Sequence, residues 1–125
     1  MSNEPVWTWP ESLDALVAAP RHHFLLLEND AVRVIDTRVP AGETVPLHTH
    51  HWPGVLYIVS WSHFVRRDGD GHVQMDSRAL PDVPAPGSAV WSGPLTPHTL
   101  ENMGTSELRV ITVEQKQAPG QAISS

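Results

Sequence analysis

Short apolar runs separated by turn residues dominate the sequence from residue 23 to residue 114. The segment 31–39 alternates most clearly, because charged Arg33 stands between apolar Val32 and Val34. Such alternation is expected of a strand with one buried face, since successive side chains point to opposite sides of a sheet. The pattern predicts strands at 23–27, 31–39, 44–50, 55–61, 63–67, 72–75, 88–92, 98–103 and 108–114. Strands this short, with a turn signal about every 8 to 12 residues, are typical of an all-β sandwich or barrel.

The segment before the first predicted strand has a helical pattern instead. In residues 10–19, Leu13 and Val17 share one face of a helix, and Pro20 ends it. The chain therefore divides into an N-terminal arm with a short helix (1–22), a β-barrel (23–115) and a flexible tail (116–125).

Composition narrows the functional classes. The chain has 125 residues, a formal net charge of -6 and no cysteine. An acidic protein without a basic cluster is a poor candidate for binding nucleic acid, because that binding relies on Lys and Arg at phosphates. The lack of cysteine excludes disulfides, thiolate metal sites and a cysteine nucleophile. The sequence shows neither a signal peptide nor an apolar stretch long enough to cross a membrane, so we expect a cytoplasmic location and no membrane partner.

Two histidines two residues apart are the strongest chemical signal. His48 and His50 follow a turn at Gly42 and end a predicted strand. Alternation places both imidazoles on the same face, where they can converge on one ion. His98, on a later strand, is the best candidate for a third ligand. Three neutral imidazoles suit a transition metal and leave open positions for water or substrate.

Other polar residues near these strands are weaker candidates. His51 is expected to point away from His50, and we keep it only as a reserve ligand. Glu101 is three residues from His98, so alternation places it on the opposite face. The pair His22-His23 shows no spacing to a partner and is interpreted as structural. No inward carboxylate is evident on the histidine strands, which weakens the alternative of acid–base catalysis by a histidine.

The spacing of the histidines resembles the first motif of the cupin superfamily. That motif reads glycine, five residues, His-x-His, three or four residues and then glutamate. Gly42, His48 and His50 match it. The glutamate, which usually completes the metal site, falls at Gly54 or Val55, and neither side chain can bind a metal.

A second motif of the same superfamily is matched in part. It begins with glycine and ends with histidine, three residues and asparagine, as Gly87, His98 and Asn102 do here. The Pro-x-Gly inside that motif is replaced by a Gly-Pro-Leu sequence that starts at Gly93. Both motifs occur in the expected order, and the resemblance covers most of the chain.

The resemblance implies a double-stranded β-helix, or jelly-roll, barrel with the short N-terminal helix outside it. It also implies a divalent metal ion, with iron, zinc or nickel as candidates, held in the barrel pocket by His48, His50 and His98. A small-molecule ligand and a homodimer are further implications.

Three functional hypotheses remain open. The first is a cupin that binds a divalent metal and a small organic ligand, with no activity assigned. The second is an iron-dependent dioxygenase that uses the same three histidines. The third is a metal-free binding or sensor domain in which the histidines line a polar pocket. Whether the protein is an enzyme is undecided at this level.

Overall fold

The computed structural model describes residues 7–116, and its secondary structure is mostly strand. The strands are β1 (His23–Glu28), β2 (Val32–Val39), β3 (Thr44–His50), β4 (Gly54–Ser60), β5 (Phe64–Arg67), β6 (Val73–Asp76), β7 (Ala89–Ser92), β8 (Leu95–Asn102) and β9 (Leu108–Gln115). Each of them overlaps a strand predicted from the sequence, so the all-β prediction is confirmed. No helix within residues 7–116 is long and apolar enough to span a membrane.

The strands form two antiparallel sheets. One has five strands in the order β1-β2-β9-β4-β7, and the other has four in the order β3-β8-β5-β6. Each sheet mixes strands from both halves of the sequence, so residues that are distant in the chain become neighbours. A hydrophobic core between the sheets includes Val39, Val45, Phe64 and Leu108.

The predicted helix at 10–19 is broken into two short pieces. A 3₁₀ turn covers Glu11–Leu13, and helix α1 covers only Ala15–Ala18. Asp14 separates them because its backbone is extended and forms a parallel bridge with Thr49 of β3. The Asp14 carboxylate also caps α1 by accepting a hydrogen bond from the Leu16 amide at 3.1 Å. Pairing with the barrel therefore outweighs the local helical pattern.

Two motif residues, Gly42 and Asn102, organise one end of the barrel. Gly42 has a φ of 80°, which is accessible to glycine without strain, and its amide donates to the Asn102 carbonyl at 3.1 Å. The buried Asn102 side chain donates to the carbonyls of Val39 and Ser106, both at 2.9 Å, and accepts from the Ser62 hydroxyl at 2.7 Å. The asparagine of the second motif thus holds three chain segments together.

The proposed division of the chain is only partly covered by the described residues. Residues 1–6 of the arm and residues 117–125 of the tail lie outside them. The boundaries 1–22, 23–115 and 116–125 therefore stay a prediction.

Candidate metal centre

Four histidines from both sheets come together inside the barrel. His48 and His50 lie on β3, His98 lies directly opposite His48 on β8, and His23 is the first residue of β1 in the other sheet. Ring centroids are 4.3 Å apart for His48–His98, 4.8 Å for His23–His48, 5.0 Å for His48–His50, 5.3 Å for His23–His50 and 5.8 Å for His50–His98. We call His23, His48, His50 and His98 the histidine cluster.

The geometry assigns His23 a place that its sequence context did not suggest. Candidate ligand atoms of His23, His48 and His50 all lie within 4.8 Å of one another. The sequence interpreted His23 as structural, whereas the structure places it beside His48 and His50. His98 is not part of this group, although its ring centroid lies 4.3 Å from that of His48. His22 points elsewhere, with its Nε2 2.9 Å from a Glu43 carboxylate oxygen.

Each histidine of the cluster is held by a hydrogen bond at its Nδ1 atom. Three histidines donate Nδ1–H to backbone carbonyls: His23 to Ala19 at 2.9 Å, His48 to Pro46 at 2.7 Å and His98 to Thr96 at 2.7 Å. A carbonyl oxygen only accepts, so Nδ1 must carry the proton. In a neutral imidazole this leaves the lone pair on Nε2, and such an outer hydrogen bond is how proteins orient metal-binding histidines.

The fourth histidine is oriented by a carboxylate. His50 Nδ1 lies 3.0 Å from Oε2 of Glu114, which is 0% exposed. The other oxygen of Glu114 accepts from Nε of Arg33 at 2.7 Å. The two terminal nitrogens of Arg33 donate to the two carboxylate oxygens of Asp14, each at 2.9 Å. A buried chain of charges therefore runs from the start of α1 to the histidine cluster, and we call it the inner network.

Burial keeps His23, His48 and His98 neutral. Removal from water, together with the proximity of other histidines, lowers the pKa of His48 from 6.5 to about 2. The same two causes lower the pKa of His23 to about 3. Burial is also the main cause that lowers the pKa of His98 to about 3. These three imidazoles are therefore uncharged near neutral pH, which is the state that binds a metal ion.

A cavity of about 600 Å³ adjoins the cluster. All four cluster histidines and Glu114 line it. Much of the remaining wall is apolar, with contributions from Leu56, Ile58, Phe64, Leu100, Leu108 and Val110. A volume of this size is typical of a small-molecule site. The geometry thus joins a set of nitrogen donors to a space that can hold an organic ligand.

The remaining sequence candidates lie outside the cluster. The exposed His51 ring stacks on Trp7 at 4.6 Å and on Trp52 at 5.1 Å, so it is not placed with His50. Glu101 Oε1 accepts from Arg67 at 2.8 Å, in agreement with its prediction on the opposite face.

Gly54, one of the two positions where the motif would have its glutamate and the one that lines the cavity, has no space for a side chain. A Cβ atom there would overlap the Val113 carbonyl oxygen and come within 2.9 Å of the Glu114 Cα atom. Gly54 and Glu114 are direct partners in the pairing of β4 with β9. The carboxylate next to the cluster is therefore supplied by β9 rather than by β4, and it contacts His50 Nδ1.

Structural comparison finds the same fold in solved proteins. A cupin domain from Bordetella pertussis Tohama I aligns with a TM-score of 0.60 and 18% sequence identity, over 76% of this chain and 92% of that chain. An RmlC-like cupin family protein with a double-stranded β-helix fold from Methanocaldococcus jannaschii aligns with a TM-score of 0.52 and 14% identity, over 92% and 93% of the two chains. This protein has the cupin fold. The predicted jelly-roll barrel is thereby confirmed.

A third cupin-like structure supports the same conclusion. It is an uncharacterized conserved protein with a double-stranded β-helix domain from Klebsiella pneumoniae, with a TM-score of 0.53, 18% identity and coverage of 82% and 83% of the two chains. No protein-family model matches the sequence, and no curated protein matches it either. The comparisons therefore establish a cupin fold for the chain and leave its activity to be inferred from the site.

Sequence analysis did not place Glu114 or His23 at the site, although the sequence contained a usable signal for Glu114. Leu108, Val110, Thr112 and Glu114 alternate along β9, and all four line the cavity. Continuing the inward face from Leu108 would have placed Glu114 inside. His23 offered no such signal, because it meets its partners only across the two sheets.

Proposed function

We propose that this protein binds a divalent metal ion through Nε2 of His48, His50 and His98, with His23 as a fourth ligand, and a small molecule beside it. The carrying observation is the hydrogen bond at Nδ1 of each of the four histidines, which leaves the Nε2 lone pair available. The burial of the cluster and the adjoining cavity support the same proposal.

The donor set fits a borderline transition metal. Neutral imidazoles suit zinc, nickel and iron, whereas magnesium and calcium prefer oxygen ligands. A metal held there would supply a Lewis acid next to the cavity. Glu114 would hold the His50 ring in place and raise the basicity of its Nε2, as carboxylates do for metal-bound histidines.

Metal content measured by plasma emission spectrometry tests the proposal. The protein is purified without a histidine tag, beside a His48→Ala/His50→Ala variant and a His51→Ala control. We expect close to one metal ion per chain in the wild type and in the control, and none in the double variant. No metal in the wild type after incubation with iron, zinc or nickel would contradict the proposal and favour a metal-free binding domain.

Single variants of the other two histidines define the ligand set. His23→Ala and His98→Ala are titrated with zinc and compared with the wild type. If both residues are ligands, each variant binds zinc more weakly than His51→Ala does. A His23→Ala variant with unchanged affinity would reduce the site to the three histidines predicted from the sequence.

An iron-dependent dioxygenase is the second candidate function. The observation that favours it is the contact between the histidine cluster and the cavity, which would place an organic substrate beside the metal. Oxygen consumption by the iron-loaded protein, measured with an electrode against a panel of small organic molecules, is the test. Iron binding without oxygen consumption would leave metal and ligand binding as the function.

A homodimer is proposed at the edge of the larger sheet. Strand β1 forms that edge, and four consecutive apolar residues of β1, Phe24 to Leu27, are 44–57% exposed. An exposed apolar edge strand pairs readily with another strand, here the same strand of a second copy. Light scattering should give a dimer for the wild type and a monomer for Leu26→Lys.

The cytoplasmic location stays a prediction.

A further inference from the structure

Within residues 7–116, one arginine of the cavity wall has no counterion. Arg66 and Arg67 are adjacent on β5, and alternation turns Arg66 toward the cavity and Arg67 to the opposite face. Arg67 forms an ion pair with Glu101 at 2.8 Å. Among residues 7–116, Arg66 forms no ion pair, and its Nε atom is buried without a hydrogen-bond partner.

The surroundings of Arg66 make an unpaired guanidinium energetically unfavourable. Burial lowers the pKa of the Arg66 guanidinium, which nevertheless stays charged at neutral pH. Its strand partners are Met75 on β6 and Leu100 on β8, and both are apolar residues of the same cavity wall. A partly buried charge among apolar groups needs an anion or strong acceptors to offset the loss of water.

The carboxylates of the cavity wall do not provide the anion for Arg66. Glu114 is already held by Arg33 and His50. Asp82 belongs to an exposed loop at the mouth. Arg66 and the four cluster histidines line the same cavity, so the positive charge of Arg66 belongs to the wall that the histidines share.

Within the described residues, a second hydrogen-bond donor of the cavity wall also lacks an acceptor. Nε1 of Trp61 is buried, and no hydrogen-bond partner for it exists in the described part of the chain. Trp61 lines the same cavity and packs against Phe64, with ring centroids 5.6 Å apart. Buried donors without partners are uncommon in folded proteins and call for a specific explanation. Arg66 and Trp61 thus bring two unpaired donors to the wall of one cavity.

We propose that the cavity binds a small, mostly apolar carboxylate whose anionic group pairs with Arg66. The carboxylate accepts hydrogen bonds from the guanidinium, and the apolar body of the ligand lies against Phe64, Leu100 and the neighbouring apolar wall. A molecule of one or two rings suits the volume of about 600 Å³. The proposal names the ligand class for the site proposed above, yet the contact with Arg66 does not require a metal.

A pair of probes that differ only in charge tests the ligand class. Binding of 2-naphthoate and of its uncharged analogue 2-naphthamide is measured by titration calorimetry, with metal-loaded and with chelator-treated protein. We expect 2-naphthoate to bind at least about tenfold more tightly than the amide in both preparations, as hydrogen bonds to charged groups allow. Equal affinity of the two probes, or no binding of either, would overturn the proposal.

Two arginine variants locate the contact. Arg66→Met is expected to bring the affinity ratio of the two probes close to one, whereas Arg67→Met, the matched control on the opposite face, keeps it. If circular dichroism shows that Arg66→Met does not fold, Arg66→Gln provides the same measurement. A preference for 2-naphthoate that survives the loss of the Arg66 charge contradicts the proposal.

The chelator-treated arm separates the two proposals. Binding of 2-naphthoate that depends on Arg66 in a protein without bound metal would support the ligand class even if the metal proposal failed. Binding that requires the metal and is indifferent to Arg66 would support the metal site and overturn the assignment of Arg66.

Discussion

Strands β2 and β9 carry one charged network on each face, and the two differ in their depth. On the inner face, Arg33 joins Asp14 to Glu114, and Glu114 continues to His50. Arg33 is 5% exposed and Glu114 is 0% exposed. On the outer face, Asp36 accepts from Arg109 at 3.0 Å and from Arg38 at 3.0 Å. The side chains of these two arginines are 32% and 48% exposed, and we call this group the outer network.

The difference shows how one pair of strands can serve both stability and function. Arg33 and Glu114 of the inner network depend on their partners, because water cannot replace a missing one at these buried positions. The arginines of the outer network keep contact with water, so the loss of a partner is partly compensated. Only the inner network ends at a candidate metal ligand. We therefore expect changes to the inner network to alter both folding and metal binding, and changes to the outer network to alter folding alone.

Removal of Arg33 is expected to have the largest effect. Arg33→Met leaves Asp14 and the fully buried Glu114 without their cation, and an unpaired buried charge costs about 3–5 kcal/mol of the free energy of unfolding. Urea unfolding monitored by circular dichroism measures the loss. Arg33→Lys is the control, since it keeps the charge and should lose less. If Arg33→Met lost less free energy of unfolding than Asp36→Asn, the distinction between the two networks would be contradicted.

Neutralising Glu114 should weaken metal binding while the fold is retained. Glu114→Gln can still accept from one neighbour, but it no longer provides a charged acceptor for His50 Nδ1. Loss of such an outer partner weakens metal affinity by about 10–100-fold. Competition for zinc with a coloured chelator measures the change, and Asp36→Asn serves as the control with unaltered affinity. Equal zinc affinities for Glu114→Gln and the wild type would remove Glu114 from the site.

The Asp36 carboxylate gives the outer network a predictable pH dependence. Burial by itself would raise the pKa of Asp36, but hydrogen bonds and charge from Arg109 and Arg38 hold it below 3.8. The stabilisation is therefore complete above the unfolded pKa and is lost as the pH falls through the lower, folded value. Asp36→Asn should cost about 1–2 kcal/mol at pH 7. In urea unfolding, the difference from the wild type should disappear at strongly acidic pH, and a constant difference would contradict this origin.

Removal of Arg38 is expected to have the smallest effect. Its side chain is 48% exposed, and Asp36 keeps its two contacts with Arg109 when Arg38 is replaced. Arg38→Met should therefore change the free energy of unfolding by less than about 1 kcal/mol, as for other exposed ion pairs. Unfolding in high salt should reduce even this difference, because salt screens exposed charges. A larger loss would mean that the outer network behaves as a buried one.

Much of the fold was predictable because its strands have local patterns. The alternation around Arg33 and the turn at Gly42 are properties of neighbouring residues, and the structure keeps both. Where local signals were misleading, pairing between segments was the cause. Strand β8 begins at Leu95 rather than at residue 98, and it continues through Pro97 where its register with β3 is irregular. A proline is tolerated at such a point because no regular ladder bond is lost.

The candidate site was predictable only for the residues that the two sequence motifs contain. The spacing of His48 and His50, with His98 later in the chain, identified residues that the structure brings together. The contacts of His23 and Glu114 join β1, β3 and β9, and their closeness follows from the stacking of two sheets. No sequence interval expresses that proximity. The sequence likewise does not show that Arg67 pairs with Glu101 while Arg66 has no carboxylate partner among the described residues, because this depends on the fold.

The close approach of β4 and β9 at Gly54 limits which ligand sets a related sequence could acquire. A single substitution of Gly54 cannot introduce a carboxylate there, because even a Cβ atom overlaps the backbone of the adjacent strand. A glutamate at position 54 would require a shift of β9, the strand that carries Glu114 and its contact with His50. The two positions are therefore epistatic. Descendants of this sequence can exchange one carboxylate for the other only through coupled changes, so the histidine-rich site is protected against stepwise replacement.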